Sequence, residues 1–383
     1  MNNDFIIIQN NISKNEENLG RLGLIKCTNG EIKTPAFIFC GTKGAIKGVE
    51  LGEIDKSTQI LLCNTFHLNA ISENVHNAGG IHKFIGWNKP IITDSGGFQI
   101  FSLGNGYISD EIKGKLNRKT NFVKIKENGC EFKNPINGDI CFLSPEKSIE
   151  IQINLGVDFV VCFDECTTSH HSYEYTKESM HRSHKWEDIC LEYFNKNKKP
   201  HQSLYGIIQG GIYEDLREES INFIKERDFF GVCIGGCLGK TKEEMYNIVK
   251  STSLKLNSQK PVHLLGIGRV EDILALCEYV DTFDCVEPTR IARHGVAIIP
   301  KYRLNLRNAK FYNDFSPLDN ECGCTTCSRY SRAYLHYLLK AKELSYMALI
   351  VKHNIFTMNK LMEEIREAMK NGNLDLVKQK WLL

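Results

Sequence analysis

The sequence lacks any apolar stretch that approaches the roughly 20 residues of a membrane-spanning helix. It also has almost no net charge, because 48 basic and 46 acidic residues leave a formal charge of +2. This balance excludes a globally basic nucleic-acid binder, so any contact with nucleic acid requires a local basic surface. The N-terminal residues carry only one short apolar run, Phe5 to Ile8, among acidic side chains, and we expect no secretory or transit signal.

Phosphate-binding signatures are missing as well. No Gly-x-Gly-x-x-Gly opens a helix after the first predicted strand and no Walker A sequence is present, which excludes the common dinucleotide-binding and P-loop classes. The 15 cysteines are an odd number in a chain far too long to need disulfide bridges, so they indicate a reducing, cytoplasmic compartment.

Short apolar runs alternate with longer amphipathic segments between about residues 58 and 300. Strands that alternate with helices predict βαβ units and a parallel sheet. Eight such runs favour an α/β fold of the (β/α)8 TIM barrel type over a doubly wound sheet. The runs are QILLCNTFH, PIITD, FVVCFDE, LYGIIQGG, GVCIGG, VHLLGIG, TFDCVEP and GVAIIP.

Acidic, amide and glycine residues stand where these runs end. In a barrel such ends converge on the rim where barrel active sites lie. Glycine lets the backbone approach a flat ligand, and Asp and Gln supply the donors and acceptors that read the edge of a base. Turn chemistry alone explains this set poorly. The ends are Asn64-Thr65, Asp94-Ser95-Gly96-Gly97, Asp164-Glu165-Cys166, Gln209-Gly210-Gly211, Gly235-Gly236, Gly266-Ile267-Gly268 and Asp284-Cys285.

A cysteine cluster gives the strongest local signal. Cys322, Cys324 and Cys327 form C-x-C-x-x-C, and His353 follows in a helical stretch, with His336 as the alternative fourth ligand. Three thiolates and one imidazole complete a tetrahedral zinc site. A closed site leaves no open coordination position, so we assign this Zn2+ to folding and not to catalysis.

These signals divide the chain into three expected parts. Residues 1–300 form the barrel, with a polar, turn-rich insertion near 104–143 that contains a predicted hairpin, FVKIKENGCEFKNP. Residues 301–365 are expected to form a zinc-binding subdomain, and residues 366–383 a C-terminal helical tail that closes the barrel.

Several motifs occur in a familiar order and spacing: TDSGGFQIFSL, FDEC, GIIQGG, IGG, FDCVEPTRIARHG and the cysteine cluster with His353. Together they resemble the queuine tRNA-ribosyltransferase, or tRNA-guanine transglycosylase, family from about residue 18 to about 365. The resemblance implies a (β/α)8 barrel with an inserted zinc subdomain. It also implies exchange of the wobble guanine of tRNAs with a GUN anticodon for a 7-deazaguanine base, in queuosine biosynthesis.

The resemblance also implies roles for individual residues. Asp284 matches the nucleophile, Asp94 matches the general acid/base, and Arg290 and Arg293 match the segment that engages the anticodon loop. Phe98 and Leu265 match side chains that sandwich the base. The positions implied for binding the substrate base are Ser95, Phe98, Asp164, Cys166, Gln209, Gly235, Gly236 and Leu265. The implied zinc ligands are Cys322, Cys324, Cys327 and His353.

The implied chemistry is a double displacement through a covalent ribosyl-Asp intermediate, which retains configuration and needs no nucleotide cofactor. A cytoplasmic homodimer, packed partly through the zinc region, and no membrane association are implied as well. After Gly236 the chain reads CLGKTKEEM, one residue shorter than in typical bacterial members, with Gly239 near the position that contacts the substituent of the base. The base therefore stays open between preQ1, which is favoured, and queuine.

Other classes make different demands on the sequence. A non-catalytic, tRNA-binding partner subunit of such an enzyme predicts loss of Asp284 or Asp94, and both are present. A zinc-dependent barrel hydrolase needs metal-binding histidines at strand ends, which here carry Asp, Gln and Gly. A zinc module that only binds nucleic acid is disfavoured by the neutral charge and the acidic strand ends.

Overall fold

A computed structural model of the protein describes residues 3–10, 20–104, 122–134, 138–256 and 259–382. Within these ranges the chain forms two compact units. The first unit includes Leu62–Leu264, and the second includes Glu31–Leu61 and the chain from Leu265 onward. Among the described helices, none combines the length and the apolar character needed to cross a bilayer.

The strands are short and most are apolar. They are β1 Asp4–Asn10, β2 Arg21–Cys27, β3 Gly30–Thr34, β4 Ala36–Cys40, β5 Leu61–Asn64, β6 Ile91–Asp94, β7 Val123–Lys126, β8 Gly129–Lys133, β9 Ile140–Leu143, β10 Phe159–Val161, β11 Ser203–Ile208, β12 Gly231–Ile234, β13 Val262–Leu264, β14 Thr282–Cys285, β15 Val296–Ile299 and β16 Tyr302–Asn305.

The helices follow the strands along the chain. They are α1 Thr65–Leu68, α2 Ser72–Asn77, α3 Ile81–Ile85, α4 Gly97–Gly104, α5 Pro145–Leu155, α6 Tyr173–Asn197, α7 Glu214–Lys225, α8 Lys242–Leu254, α9 Val270–Leu276, α10 Glu287–Ala292, α11 Arg332–Lys340, α12 Ser345–Asn371 and α13 Leu374–Trp381.

Eight parallel strands close into a barrel in the order β10-β11-β12-β13-β14-β4-β5-β6, which confirms the predicted (β/α)8 class. Strands β4 and β14 pair with Ala36 opposite Thr282 and Ile38 opposite Asp284. All five residues of β4 are buried, as expected for a parallel strand covered on both faces.

One predicted barrel strand is wrong. The GVAIIP run forms β15, which pairs antiparallel with β16 in a separate two-stranded sheet. Lys301, with a φ of 67°, turns the chain from one strand directly into the other, whereas parallel neighbours need a long crossover connection. The barrel instead uses β4, whose sequence AFIFC precedes the predicted repeat.

Polar caps define where the long helices begin. The Ser144 hydroxyl accepts a hydrogen bond from the Lys147 amide at 3.1 Å, with Pro145 at the first helical position of α5. The Thr241 hydroxyl accepts the Glu244 amide at 3.1 Å at the start of α8. Each cap fixes the residue at which the preceding loop ends; Ser144 ends the segment after β9 and Thr241 ends the loop after barrel strand β12.

The predicted insertion contains a three-stranded antiparallel sheet of β7, β8 and β9. Its first pair, with Val123 opposite Phe132, is the hairpin expected from the sequence. Residues 105–121 and 135–137 of the insertion lie outside the described residues.

Helix α12 runs unbroken from Ser345 to Asn371. The boundary placed at residue 365 falls inside this helix, and the Trp381 indole of α13 donates to Glu364 of α12 at 2.7 Å. The division into parts at 1–300, 301–365 and 366–383, and the closure of the barrel by the tail, stay predictions.

Candidate active site and metal centre

Asp94 is the last residue of barrel strand β6, and its carboxylate is held by donors from two directions. The Asn64 amide, at the end of β5, donates to Oδ2 at 2.5 Å, and the Thr65 N–H donates to Oδ1 at 3.2 Å. The Gln99 amide of α4 donates to Oδ2 at 3.2 Å. The Thr65 hydroxyl donates to the main-chain carbonyl of Asp94. This set of contacts fixes the orientation of the carboxylate in a half-exposed position.

Asp164 and Gln209 form a buried polar pair just after the C-terminal ends of the neighbouring strands β10 and β11. The Gln209 amide donates to Asp164 Oδ2 at 2.6 Å, and the Ser95 hydroxyl donates to Oδ1 at 3.4 Å. Only 6% of Asp164 and 1% of Gln209 are exposed. Burial raises the pKa of Asp164 to about 6, against the hydrogen bonds from Gln209 and Ser95, which favour the ionised form.

The other end of the Gln209 amide faces a pair of glycines. A Cβ at Gly235 would lie 2.7 Å from Gln209 Nε2, and a Cβ at Gly236 would collide with Oε1. Gly236 also has a φ of 55°, which side chains adopt at a cost. Gln209 Oε1 is buried without a hydrogen-bond partner among the described residues. An acceptor without a described partner therefore lies beside the main chain of Gly235 and Gly236.

Glu165, the second acid of the FDEC motif, has a structural environment. Its carboxylate forms an ion pair with Arg182 and accepts the Tyr175 hydroxyl at 2.6 Å. Its main-chain N–H donates to Ser183 at 3.0 Å. The contacts anchor the loop that carries Asp164 to α6, so the two adjacent acids have separate tasks.

The remaining candidates for base binding lie at or just after strand ends. Phe98 belongs to the first turn of α4, Cys166 follows Glu165, and Leu265 follows β13. All three are half-buried, which leaves part of each side chain accessible at its strand end.

Asp284 lies on β14 with 7% of its surface exposed. The Gly266 N–H donates to Oδ1 at 2.7 Å, and the Cys40 thiol donates to Oδ2 at 3.6 Å. Sequence reasoning missed Cys40. The available signal was its place at the C-terminal end of a buried strand, the same kind of position that identified the other candidates.

Arg290 and Arg293 lie at the end of α10, shortly after Asp284. Burial lowers the pKa of Arg293, and the positive charge of Arg290 lowers it further. The Tyr346 hydroxyl donates to the Arg293 carbonyl at 2.7 Å, which ties this turn to α12. Two neighbouring guanidinium groups that repel each other favour an anion between or beside them.

The three thiols and His353 meet in one cluster, whose ligand atoms all lie within 4.8 Å of one another. His353 Nδ1 lies 3.6, 3.5 and 3.4 Å from the sulfurs of Cys322, Cys324 and Cys327. A tetrahedral ion with zinc-like bond lengths requires edges of about 3.5 Å between sulfur and nitrogen. His336 is not part of the cluster, because its Nδ1 contacts the Leu306 carbonyl at 2.6 Å.

The surroundings of the cluster select the ligand atom of His353 and favour the thiolate form of Cys324. His353 Nε2 lies 2.9 Å from the Ile298 carbonyl and donates to it, which leaves Nδ1 to the metal. Hydrogen bonds from Cys322 and Cys327 lower the pKa of the Cys324 thiol. The Cys327 N–H donates to Cys324 at 3.3 Å. The residues present therefore fit a closed, tetrahedral metal site.

Comparison with known proteins gives a consistent result. The family model described as queuine tRNA-ribosyltransferase matches residues 16–383. The chain is 41% identical to the queuine tRNA-ribosyltransferase of Roseiflexus sp., over 94% of this chain and 96% of the relative. It is 43% identical to that of Thermoanaerobacter sp., over 95% and 93% of the two chains. It is 42% identical to that of Staphylococcus aureus, over 92% and 90%.

Proposed function

Because the chain belongs to the queuine tRNA-ribosyltransferase family, we propose that it replaces the wobble guanine of tRNAs with a GUN anticodon by a 7-deazaguanine base. The observation that carries this proposal is the buried Asp164–Gln209 pair beside Gly235 and Gly236. The pair places a carboxylate and an amide where one flat heterocycle can meet both.

The donors and acceptors of this pair complement a guanine-type edge. Guanine and 7-deazaguanines present a carbonyl acceptor beside a ring N–H and an amino group. In our proposal the Asp164 carboxylate accepts hydrogen bonds from the two donors, and the Gln209 amide donates to the carbonyl. The Gly236 main chain lies close enough to contribute because it carries no side chain. The contact between Asp164 and Gln209 is then exchanged for contacts to the base, so neither group loses a partner on binding.

Asp284 acts in this proposal as the nucleophile. Its carboxylate attacks the anomeric carbon of the wobble nucleotide, the bond between that carbon and guanine breaks, and a covalent ribosyl-Asp284 ester forms. The incoming base then attacks the same carbon and releases the carboxylate, so two inversions retain the configuration. The Gly266 N–H and the Cys40 thiol hold the two oxygens of Asp284, which limits the geometries from which attack can occur.

Asp94 acts as the general acid/base. The departing guanine needs a proton and the entering base loses one, and in our proposal the Asp94 carboxyl group, at the end of a barrel strand, makes both transfers. The donors Asn64, Thr65 and Gln99 support this role by holding the carboxylate in one orientation. Phe98 and Leu265 supply apolar surface for the faces of the flipped base, with Ser95 and Cys166 at its border. Arg290 and Arg293 bind anticodon-loop phosphates.

We favour preQ1 over queuine as the incoming base. The loop after Gly236 is compact, because the Lys240 N–H donates to Glu244 at 2.5 Å and a Cβ at Gly239 would lie 2.7 Å from the same carboxylate. A compact loop suits the smaller aminomethyl substituent.

The metal in this proposal is one structural Zn2+ per chain, held by the three thiolates and His353. It supplies no catalytic step, since four protein ligands fill its coordination. We also propose a cytoplasmic location, where tRNA is the substrate and thiols stay reduced.

A homodimer is proposed from the surface near the metal cluster. This part of the second unit exposes several large apolar side chains, and an exposed aromatic surface is typical of a subunit interface. Substitution of Tyr337 by arginine places a charge within this surface, and light scattering then reports a monomer if a second copy covers it. The exposed side chains are Tyr312, Phe315, Tyr334, Tyr337 and Leu344.

The decisive experiment is incorporation of labelled guanine into an unmodified tRNA with a wobble G. The wild-type protein and Asp284→Asn are compared, and unlabelled preQ1 or queuine is added as competitor. We expect incorporation by the wild type, none by Asp284→Asn, and stronger competition by preQ1.

Each other outcome has a defined meaning. No incorporation by folded, zinc-loaded wild type contradicts the enzyme proposal and supports the non-catalytic partner subunit. Stronger competition by queuine contradicts the proposed base alone. Activity in Asp284→Asn contradicts the assignment of the nucleophile.

A further inference from the structure

Arg217, in the first turns of α7, is a buried cation that the chemistry described so far does not use. Only 3% of it is exposed. Its Nε donates to the Gly211 carbonyl and its Nη2 donates to the Gly235 carbonyl, each at 2.8 Å. The side chain thus bridges the loops that follow β11 and β12.

Burial of the Arg217 guanidinium group destabilises the folded state. Within the described residues the guanidinium has no carboxylate partner, and its Nη1 is buried without a hydrogen bond. Burial lowers the pKa of Arg217, which shows that the surroundings disfavour its charge. A buried, unpaired cation costs several kcal/mol unless it is compensated. An apolar residue would fill the same space without this cost, so stability alone explains the arginine poorly.

The two bridged loops are the ones that carry the Gln209 amide and the Gly235-Gly236 backbone. Gly211 lies two residues after Gln209, and the Gly235 carbonyl belongs to the glycine pair itself. The loop after β11 is also packed directly on the start of α7, because a Cβ at Gly210 would lie 2.8 Å from the Arg217 main-chain nitrogen. A shift of the guanidinium therefore moves both loops together.

We propose that Arg217 is a positioning residue that sets the distance between the Gln209 loop and the Gly235-Gly236 loop, and thereby the fit of the incoming base. The guanidinium fork suits this task because its rigid plane fixes two acceptors relative to each other. Lysine, a single point donor on a flexible chain, holds one carbonyl at a time. This inference rests on the proposed function, since it assigns a role to Arg217 in recognition of the base.

The test compares Arg217→Met, Arg217→Lys and the matched control Arg227→Met. Arg227 lies just beyond the other end of α7, where it pairs with Asp188 and packs on Phe223. Its loss removes an arginine contact of the same helix without touching either loop. For each variant the KM for guanine, the KM for tRNA, kcat and the thermal midpoint are measured. Hydrogen–deuterium exchange of peptides that cover residues 209–213 and 235–240 is recorded without substrates.

In Arg217→Met we expect the KM for guanine to rise at least about tenfold, since a misplacement of 1 Å can cost about 10²-fold. The KM for tRNA stays within about twofold, and exchange rises in both loops. Arg217→Lys gives an intermediate KM for guanine. Arg227→Met lowers the thermal midpoint but leaves both KM values and loop exchange unchanged.

Two results overturn the proposal. One is an Arg217→Met protein whose KM for guanine and loop exchange match those of Arg227→Met at a similar loss of thermal midpoint. The other is an equal rise in the KM for guanine and for tRNA, which indicates general damage. If the wild type fails to incorporate guanine, the proposed function fails, and the exchange data still decide whether Arg217 holds the loops.

Discussion

The metal cluster and the Asp164–Gln209 pair are built in opposite ways. The cluster takes three candidate ligands from a six-residue stretch and the fourth from one helix. Its three sulfur atoms and one imidazole nitrogen lie close together, in an arrangement that a metal ion would complete. Asp164 and Gln209 follow different barrel strands, and folding alone brings the Gln209 amide N–H to the Asp164 carboxylate.

This difference separates a site completed by its ligand from a site completed by the fold. In the cluster, the proposed zinc ion would supply part of the folding free energy. In the pair, folding holds a carboxylate and an amide in a buried position, and the burial of these polar groups lowers the stability of the folded state. Substitutions in the metal cluster should therefore lower stability, whereas substitutions in the Asp164–Gln209 pair should weaken recognition of the base.

The largest effect is expected from Cys324→Ser, which removes a buried ligand from the metal cluster. Bound zinc should fall from about one equivalent per chain to nearly none, because structural zinc contributes about 10 kcal/mol or more to the domains that depend on it. Metal analysis together with a thermal scan measures both consequences. Cys27→Ser is the control, since its half-buried thiol donates to the local Gly30 carbonyl and is not part of the cluster. Retention of a full equivalent of zinc by Cys324→Ser contradicts the cluster assignment.

The second-largest effect is expected from Asp164→Asn, which should weaken binding of the base without lowering stability. Asp164→Asn removes a charge whose burial is unfavourable, so the thermal midpoint should stay equal or rise. The KM for guanine should rise by about 10- to 100-fold, because hydrogen bonds to a charged group contribute about 1.5–3 kcal/mol each. Steady-state kinetics and a thermal scan of the same preparation check both parts. A fall in the thermal midpoint with an unchanged KM contradicts the division between the two regions.

A third prediction uses the pH dependence of the same carboxyl group. The pKa of Asp164 is raised to about 6 by burial, above its value in the unfolded chain. Its contribution to stability is therefore fully present below about pH 4 and is lost as the pH rises through about 6. Because the base binds to the ionised carboxylate in our proposal, the KM for guanine should be about tenfold higher at pH 5 than at pH 7.

Asp164→Asn is also the control for this prediction, because it has no group to titrate at that position. The KM of this variant should be nearly flat over the same range. A wild-type KM that does not change between pH 5 and pH 7 contradicts the role of Asp164 as an ionised acceptor.

The smallest effect concerns a thiol that belongs to neither kind of site. Cys40→Ala removes the sulfur donor of Asp284 and should lower kcat by about two- to fivefold with an unchanged KM for guanine, since a thiol is a weak donor. Cys277→Ala is the matched control, a buried cysteine of the same unit whose described hydrogen bond is to the Leu274 carbonyl. Equal kcat values for the two variants would contradict a contribution of the Cys40 thiol to catalysis by Asp284.

Local patterns predicted the parts of this molecule that are locally determined. The C-x-C-x-x-C spacing identified three ligands, and most apolar runs became barrel strands, because spacing and burial on both faces leave a direct mark on the sequence. The sequence did not predict which run forms the eighth barrel strand, since AFIFC and GVAIIP are both short apolar runs. The turn at Lys301 places GVAIIP in a hairpin instead. Contacts between distant segments, such as Arg217 with Gly235 or Cys40 with Asp284, depend on register, and no single segment encodes them.

The pairing of β4 with β14 has a consequence during synthesis on the ribosome. Ala36 pairs with Thr282, so the barrel seam joins segments roughly 250 residues apart, and a contact of that separation forms late in folding. At about 5–20 residues per second, β4 waits on the order of 10 to 50 seconds for its partner strand. During that interval the edge of β4 that pairs with β14 stays unpaired, which makes the nascent chain a candidate client for chaperones that bind extended hydrophobic segments.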